Sequence, residues 1–314
     1  MVTADAPRRV IVTGGLGFIG SNLSRLLEGP GAEVTVWDLP TTPVPVDFPD
    51  NVEIRGLDLR APLTSADVEG ADAIFHLAGN ASGAISLERP RFDFEANVAA
   101  AFNVAVAALD AGVRRFVFMS SALVYGVPTA TPIPETHPTI PLLPYAGSKL
   151  AAENVMMGLW HGLGLPVVIG RCFAVYGRGE NPKTAEAEPG VFARAWLRNE
   201  PIVVLGDLDR KTRDFVHVID VARALVLLAT QAEPGSVVNI GSGTEVSLRQ
   251  LLETLAAVVG DEPRFEMSDH YWNDSFRHVA DISKLRSLGY SPQISLEVGI
   301  EGLLRDESQG RSIS

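Results

Sequence analysis

Val10-Ile11-Val12-Thr13-Gly14-Gly15-Leu16-Gly17-Phe18-Ile19-Gly20 reads as a short apolar strand, a glycine-rich turn and the opening of a helix. Glycines at 14, 17 and 20 let the backbone turn tightly, approach a pyrophosphate closely and pack helix against strand. The helix N-terminus adds unpaired N–H groups that suit an anion. Such glycine spacing also occurs in ordinary tight turns, but its place directly after an apolar strand favours a dinucleotide. Asp38 closes the next strand-like run, Val34-Thr35-Val36-Trp37-Asp38, where a carboxylate accepts from ribose hydroxyls and repels a 2′-phosphate. The alternative is an aspartate that starts the Leu39-Pro40 turn. Asp58 and Leu59, after the third strand, are expected beside the adenine.

Outward from this stretch the pattern repeats. Strand-like runs at 9–13, 33–37, 52–55, 73–77, 115–120 and 166–170 alternate with helix-like segments such as 19–27, 92–111 and 145–162. Strand followed by helix, repeated, dictates a doubly wound parallel sheet with helices on both faces, an α/β fold. After Arg171 the rhythm changes to a loop rich in glycine, proline and charge at 177–190. A helix is predicted at 191–199, short strands at 202–205 and 214–216, a helix at 246–259, and a tail with turn residues at Gly289, Tyr290, Ser291 and Pro292. The predicted division is a nucleotide-binding domain at 1–170, with 212–240 returning to it, and a smaller α/β C-terminal substrate lobe at 171–211 and 241–314.

The 314 residues are 46% apolar and 20% charged, enough for a large core that divides into two lobes. A formal net charge of −12 argues against nucleic-acid or anionic-membrane partners, which need dense basic patches. The single cysteine, Cys172, excludes an internal disulfide framework and fits a reducing compartment; a buried apolar role suits it better than a nucleophilic one. The start, MVTADAPRRVIVTGG, does not resemble a secretory signal. The best candidate for a bilayer span, 216–229, is short and carries His217, Asp220 and Arg223, so a soluble cytoplasmic protein is expected.

Tyr145 and Lys149 are four apart in Tyr-Ala-Gly-Ser-Lys, a spacing that puts phenol and ammonium on one helix face. A nearby ammonium favours the phenolate and is expected to draw the tyrosine toward the working pH of a general base. Further motifs follow in order: His76-Leu77-Ala78-Gly79, Asn97-Val98, Ser120-Ser121-Ala122-Leu123-Val124-Tyr125-Gly126, Arg171-Cys172-Phe173-Ala174-Val175-Tyr176-Gly177 and Arg213-Asp214-Phe215-Val216-His217-Val218. Together with the glycine stretch, they resemble the NAD-dependent epimerase/dehydratase family of extended short-chain dehydrogenases over about residues 9–290.

The resemblance implies a Rossmann-type sheet and NAD as cofactor. It makes Tyr145 the general acid/base, has Lys149 hold the nicotinamide ribose and tune Tyr145, and has Ser121 hydrogen-bond the reacting hydroxyl. Cofactor contacts are implied at Gly14, Gly17, Phe18, Ile19 and Gly20, at Asp38, Asp58 and Leu59, and at Leu77, Ala78 and Gly79. Asn97 is open to a direct cofactor role or a helix-bending one. Family dehydratases resemble Thr-Asp-Glu at the position after the strand, and decarboxylases Ser-Glu; this chain has Ala122-Leu123. That leaves redox cycling at C4 of a nucleotide sugar, a 4-epimerase. The alternatives are an NDP-4-ketosugar reductase, disfavoured by Asp38, and a non-catalytic NAD-binding scaffold or redox sensor.

On the substrate side, Arg213 matches the family arginine that binds the diphosphate; the alternative is an ion pair with Asp209 or Asp214. Arg277 is a second candidate. Ala174 stands where the family usually has asparagine, Tyr271-Trp272-Asn273-Asp274 where relatives often have Arg-x-Gly-Asp, and Asn181 where uronate enzymes have a loop arginine. A neutral hexose, most simply a UDP-hexose, is therefore expected over a uronate. Tyr176 and Phe192 suit either the nucleotide base or the core. In relatives the helices at 92–111 and 145–162 form a dimer interface, so a homodimer is expected by resemblance.

Overall fold

The computed structural model describes residues 7–28, 31–45, 47–182, 186–268 and 276–308. Its strands are β1 (Arg9–Thr13), β2 (Glu33–Asp38), β3 (Glu53–Gly56), β4 (Ala73–His76), β5 (Arg115–Ser121), β6 (Val167–Cys172), β7 (Ala174–Tyr176), β8 (Ile202–Val204), β9 (Thr212–Arg213), β10 (Phe215–His217), β11 (Ser236–Ile240), β12 (Val246–Ser247), β13 (Phe265–Met267) and β14 (Arg277–His278). The helices that matter below are α1 (Phe18–Leu27), α2 (Gly83–Glu88), α3 (Pro90–Phe94), α4 (Ala100–Asp110), α5 (Pro144–Leu163), α6 (Glu188–Leu197), α7 (Val218–Gln231), α8 (Leu248–Val259), α9 (Ser283–Ser287) and α10 (Leu296–Ser308).

Seven strands form one sheet in the order β11-β6-β5-β4-β1-β2-β3, and every pairing within it is parallel. Its period-2 side chains feed two cores. Val10, Val12, Phe75, Val117, Met119 and Val168 face one, with Leu23 of α1 and Val221, Leu225 and Leu228 of α7. Ile11, Ile74, Phe116, Phe118, Val167 and Ile169 face the other, with Ala101, Val104 and Ala108 of α4 and Ala152 and Met156 of α5. Burying such side chains contributes about 1.5–3 kcal/mol each, and a strand buried on both faces must be apolar at nearly every position. The strand order reverses between β1 and β4, which opens the crevice at their carboxyl ends that open α/β sheets use for ligands.

The smaller lobe has its own core, in which Phe192, Ile202, Phe215, Leu251 and Leu255 meet Ile300 and Leu303. The last two belong to α10, a helix in the tail that local sequence patterns do not announce. Within 212–240, β9 pairs with β12 and β14 and β10 pairs with β7, while Val216 of β10 and Val221, Leu225 and Leu228 of α7 pack into the first core of the large sheet. Ala280, Ile282, Leu285 and Tyr290 pack into the first core of the large sheet, so this part of the tail is not confined to the smaller lobe.

The helical run Pro90–Asp110 is 21 residues long and its most apolar 18-residue window has mean hydropathy 1.3, long and apolar enough to cross a membrane by length and composition. It displaces 216–229 as the best candidate, but half of its most apolar window is buried within the protein, as a core helix would be.

Candidate active site

The glycine turn is built as its sequence suggests. Gly14 has φ +68°, its N–H donates to the Trp37 carbonyl at 2.7 Å, and Gly17 N–H donates to the Gly14 carbonyl at 3.1 Å. A Cβ on Gly20 would overlap the Gly14 carbonyl, and one on Gly15 would lie 2.6 Å from Val36 Cγ1. Gly15 therefore belongs with the other three, although the spacing rule omits it. Gly17 is the N-cap of α1 and no side chain caps it, which leaves the N–H groups around Phe18, Ile19 and Gly20 for a ligand. Asp38 is tied to this loop: Oδ2 accepts from Leu16 N–H at 3.0 Å, and Oδ1 accepts from Leu39 N–H at 2.8 Å and the Thr42 hydroxyl at 2.7 Å. It thus starts the turn and also faces the glycine loop.

The neighbouring strand ends complete the crevice. Leu77 N–H donates to the Thr13 carbonyl at 3.1 Å, Ala78 N–H reaches Thr13 Oγ1 at 3.4 Å, and Gly79 follows with φ +152°. Asp58 is exposed and held by Arg60 at 2.6 Å, whose hydrogen bond keeps its carboxyl below the usual range. The Leu59 side chain is committed to the core.

Helix α5 opens with Pro144 at its first position after an extended Leu143, which suits the fixed φ of proline. Tyr145 lies in this first turn and Lys149 one turn later, both buried. Ser121 ends β5 opposite Cys172, accepts from Leu123 N–H at 3.2 Å and acts on the Tyr145 phenol, which it draws down. Lys149 Nζ donates to the Met119 carbonyl at 3.2 Å. The three predicted catalytic residues therefore meet at the carboxyl edge of β5.

Their electrostatics differ from the expectation. Burial pushes the Tyr145 phenol up to about 12; the Ser121 hydrogen bond opposes this, while Cys172, Glu186 and Asp93 add to it. Burial draws Lys149 down to about 8, against the charges of Asp93 and Glu153, which hold it up. In the protein alone desolvation outweighs any help from the ammonium, so spacing by itself does not activate the tyrosine. Burial also pushes the Cys172 thiol up, which suits an inert core cysteine.

Behind the site, Ser120 and Arg171, the first residues of two of the motifs above, meet Glu153 in a buried network. Ser120 Oγ donates to Glu153 Oε1 at 2.5 Å, Arg171 forms an ion pair with Glu153 at 2.7 Å, and the guanidinium stands 4.9 Å from the Tyr125 ring centre. Glu153 is one turn beyond Lys149, so the same four-residue spacing held the signal.

The substrate-side arginines sit on the three-stranded sheet β12-β9-β14. Arg213 donates to the Thr212 and Phe276 carbonyls at 3.0 Å, and its guanidinium lies 5.1 Å from the Phe276 ring centre. Asp209 pairs with Arg249 at 2.6 Å, while Asp214 is buried and accepts from Ser242 and Gly243. Arg277 is exposed and grips Glu245 with two hydrogen bonds of 2.6 Å. Thr129, Arg210, Thr212, Phe276 and Arg277 line an open cleft of about 500 Å³ here. Tyr176 and Phe192 are core residues, and among the described residues of the cleft the half-buried Phe276 is an aromatic on its wall. His278, which follows Arg277 in β14, is buried outside this cleft, and the Ala122 backbone acts on its imidazole. Ala174 lies in β7, half-buried. The departure at Tyr271-Trp272-Asn273-Asp274 lies outside the described residues.

The NAD dependent epimerase/dehydratase family matches residues 10–241 of the chain. The protein belongs to this family. A putative UDP-glucose 4-epimerase of Methanocaldococcus jannaschii is 32% identical over 299 residues, 93% of this chain and 96% of that protein. Among solved structures, the UDP-glucose 4-epimerase of Thermotoga maritima with UDP-glucose is 28% identical with a TM-score of 0.88, covering 96% of this chain and 99% of that one. MoeE5 in complex with UDP-glucuronic acid and NAD is 32% identical with a TM-score of 0.86 and the same coverage. The residues of this family member fit NAD. The glycine cradle closes with side-chain substitution at Gly20, Asp38 is anchored beside it, and the buried Asn97 Oδ1 has no protein partner.

Proposed function

We propose that this protein is an NAD-dependent nucleotide-sugar 4-epimerase acting on a neutral UDP-hexose of the glucose/galactose type. The observation that carries the reading is the convergence of Ser121, Tyr145 and Lys149 at the end of β5, followed by a turn that bears Ala122 and Leu123 in place of an acid pair. Elimination of water needs a second acid and base placed on the sugar, and the Ser121 turn supplies neither.

Gly14, Gly17, Gly20, Asp38, Gly79, Asn97 and Lys149 would hold the cofactor. Bound NAD supplies a reversible two-electron acceptor and a positive ring whose charge favours the phenolate. Tyr145 takes the proton from the sugar 4-hydroxyl as C4 becomes a ketone and returns it after the sugar has turned over. Ser121 holds the reacting oxygen, and Lys149 keeps a positive charge near the phenolate. Arg213 grips the diphosphate, with Arg277 released from Glu245 as the second contact. Exposed Phe94 and Phe102 on the Pro90–Asp110 run and Leu163 on α5 support a homodimer joined through these helices. The acidic charge and the single cysteine support a cytoplasmic protein without membrane or nucleic-acid partners.

Proton NMR on UDP-glucose, UDP-galactose, their N-acetyl forms, UDP-glucuronate and dTDP-glucose, with no cofactor added, tests this. A C4-inverted product that reaches the same ratio from both directions supports the epimerase. Turnover only after a 4-ketosugar and NADH or NADPH are supplied replaces it with the ketosugar reductase.

A further inference from the structure

Asp93 on α3 is 1% exposed, and beyond its charge acting on Tyr145 and Lys149 it links the strand-end crevice to α5. Its Oδ1 accepts from Asn80 Nδ2 at 2.7 Å and from Asn97 Nδ2 at 3.0 Å. Asn97 Nδ2 also donates to Ser148 Oγ at 3.0 Å, and the Ser148 hydroxyl donates to the Tyr145 carbonyl at 2.9 Å. The directions are fixed. A hydroxyl that already donates has only acceptor capacity left for Asn97, and a carboxylate has nothing else to offer. Both amide hydrogens of Asn97 are taken on this side, so its oxygen must point the other way.

That oxygen is buried and has no hydrogen-bond partner. It stands where a side chain on Gly79 would be, and Lys149 Nζ is 3.5 Å from the same point. A carbonyl acceptor and an ammonium thus converge over a glycine at the end of β4, an arrangement that holds a hydroxyl. Asp93 and Asn97 are four apart on one helix face, and the π turn Glu95–Ala99 begins between them, a local widening frequent at functional sites.

We propose that Asp93 is a positioning residue: with Ser148 it locks the Asn97 amide so that Asn97 Oδ1 accepts a hydrogen bond from a ribose hydroxyl of NAD at the Gly79–Lys149 corner. This rests on NAD as the cofactor and is independent of the sugar. A hydrogen bond to a freely flipping amide is weaker than one to a locked amide, and an unmet buried donor adds its own cost.

NAD titrated calorimetrically into the full chain freed of bound nucleotide tests this, with thermal melts to confirm folding. Asp93→Ala is expected to weaken NAD binding about tenfold, whereas Asp93→Asn, which still offers a carbonyl to both amides, stays within about threefold of wild type. Wild-type affinity in Asp93→Ala, or equal weakness in Asp93→Asn, overturns the proposal. Where Asp93→Ala yields no folded protein, Asp93→Leu removes the acceptor while filling the volume: a comparable loss of affinity supports the proposal, and wild-type affinity overturns it. A wild-type protein that binds NAD yet inverts no sugar overturns the epimerase reading alone.

Discussion

At the residue scale the site is governed by desolvation. Tyr145 and Lys149 sit one turn apart, yet burial raises the phenol to about 12 and lowers the ammonium to about 8. Below about 8 Lys149 carries its proton and supports the phenolate; above it that support is lost. We expect kcat/KM of the free enzyme to fall as pH rises through about 8, and Lys149→Met to remove most activity at every pH. An alkaline limb unchanged in position when Glu153 is replaced by glutamine would contradict the assignment, because the Glu153 charge holds Lys149 up. Tyr145→Phe should lower kcat by about 10²–10⁴, the usual worth of a general acid–base group, with little change in KM. Spacing placed the pair correctly; the shift of each group depends on what the chain folds around it, and no local pattern holds that.

At the element scale, the ends of β5 and β6 are clamped to the middle of α5 by the Ser120–Glu153–Arg171 network. Removing one partner of a buried ion pair leaves an uncompensated charge and costs about 3–5 kcal/mol. Glu153→Ala should therefore destabilise folding by about that amount in urea denaturation, and a loss under about 1 kcal/mol would show that water reaches the pair. On the small sheet, Arg213→Ala should raise KM for the nucleotide sugar by on the order of 30-fold or more while kcat changes little. A fall in kcat at constant KM would place Arg213 away from the diphosphate. Long strands and α1, α4 and α5 were legible because their apolar periods run for several residues. The strands β9, β12 and β14 are two residues each and pair across more than thirty positions, so their existence depends on partners that a local pattern does not contain. Helix α10 was hidden for a similar reason: its inward face is Gly299, Ile300 and Leu303, too few apolar residues to stand out.

At the scale of the whole molecule, two buried histidines set the acid response. Burial holds His76, which shares a 2.9 Å hydrogen bond with Thr13, and His278 each down to about 3. Their folded values lie below the usual value near 6.5, so between about 3 and 6.5 the unfolded chain binds the extra protons. Their contribution is present in full above that window and is lost as pH falls through it. Tm should therefore be level above about pH 7 and decline toward pH 5, and His278→Phe should flatten the decline. Buried Asp214 and Glu180, whose carboxyl groups are pushed up, work in the opposite sense and temper the loss. A His278→Phe protein whose Tm declines as steeply as that of the wild type between pH 7 and 5 would contradict the assignment.

The proposed epimerase oxidises and reduces C4 in turn within one closed site. UDP-glucose carrying deuterium at C4, incubated with the purified protein and no added cofactor, tests it most directly by NMR and mass spectrometry. The expected result is UDP-galactose that keeps its deuterium at C4, because the label leaves and returns within the same complex. Loss of the label to solvent, or no inversion at C4 of UDP-glucose while added NADH is consumed by a 4-ketosugar, would contradict the account.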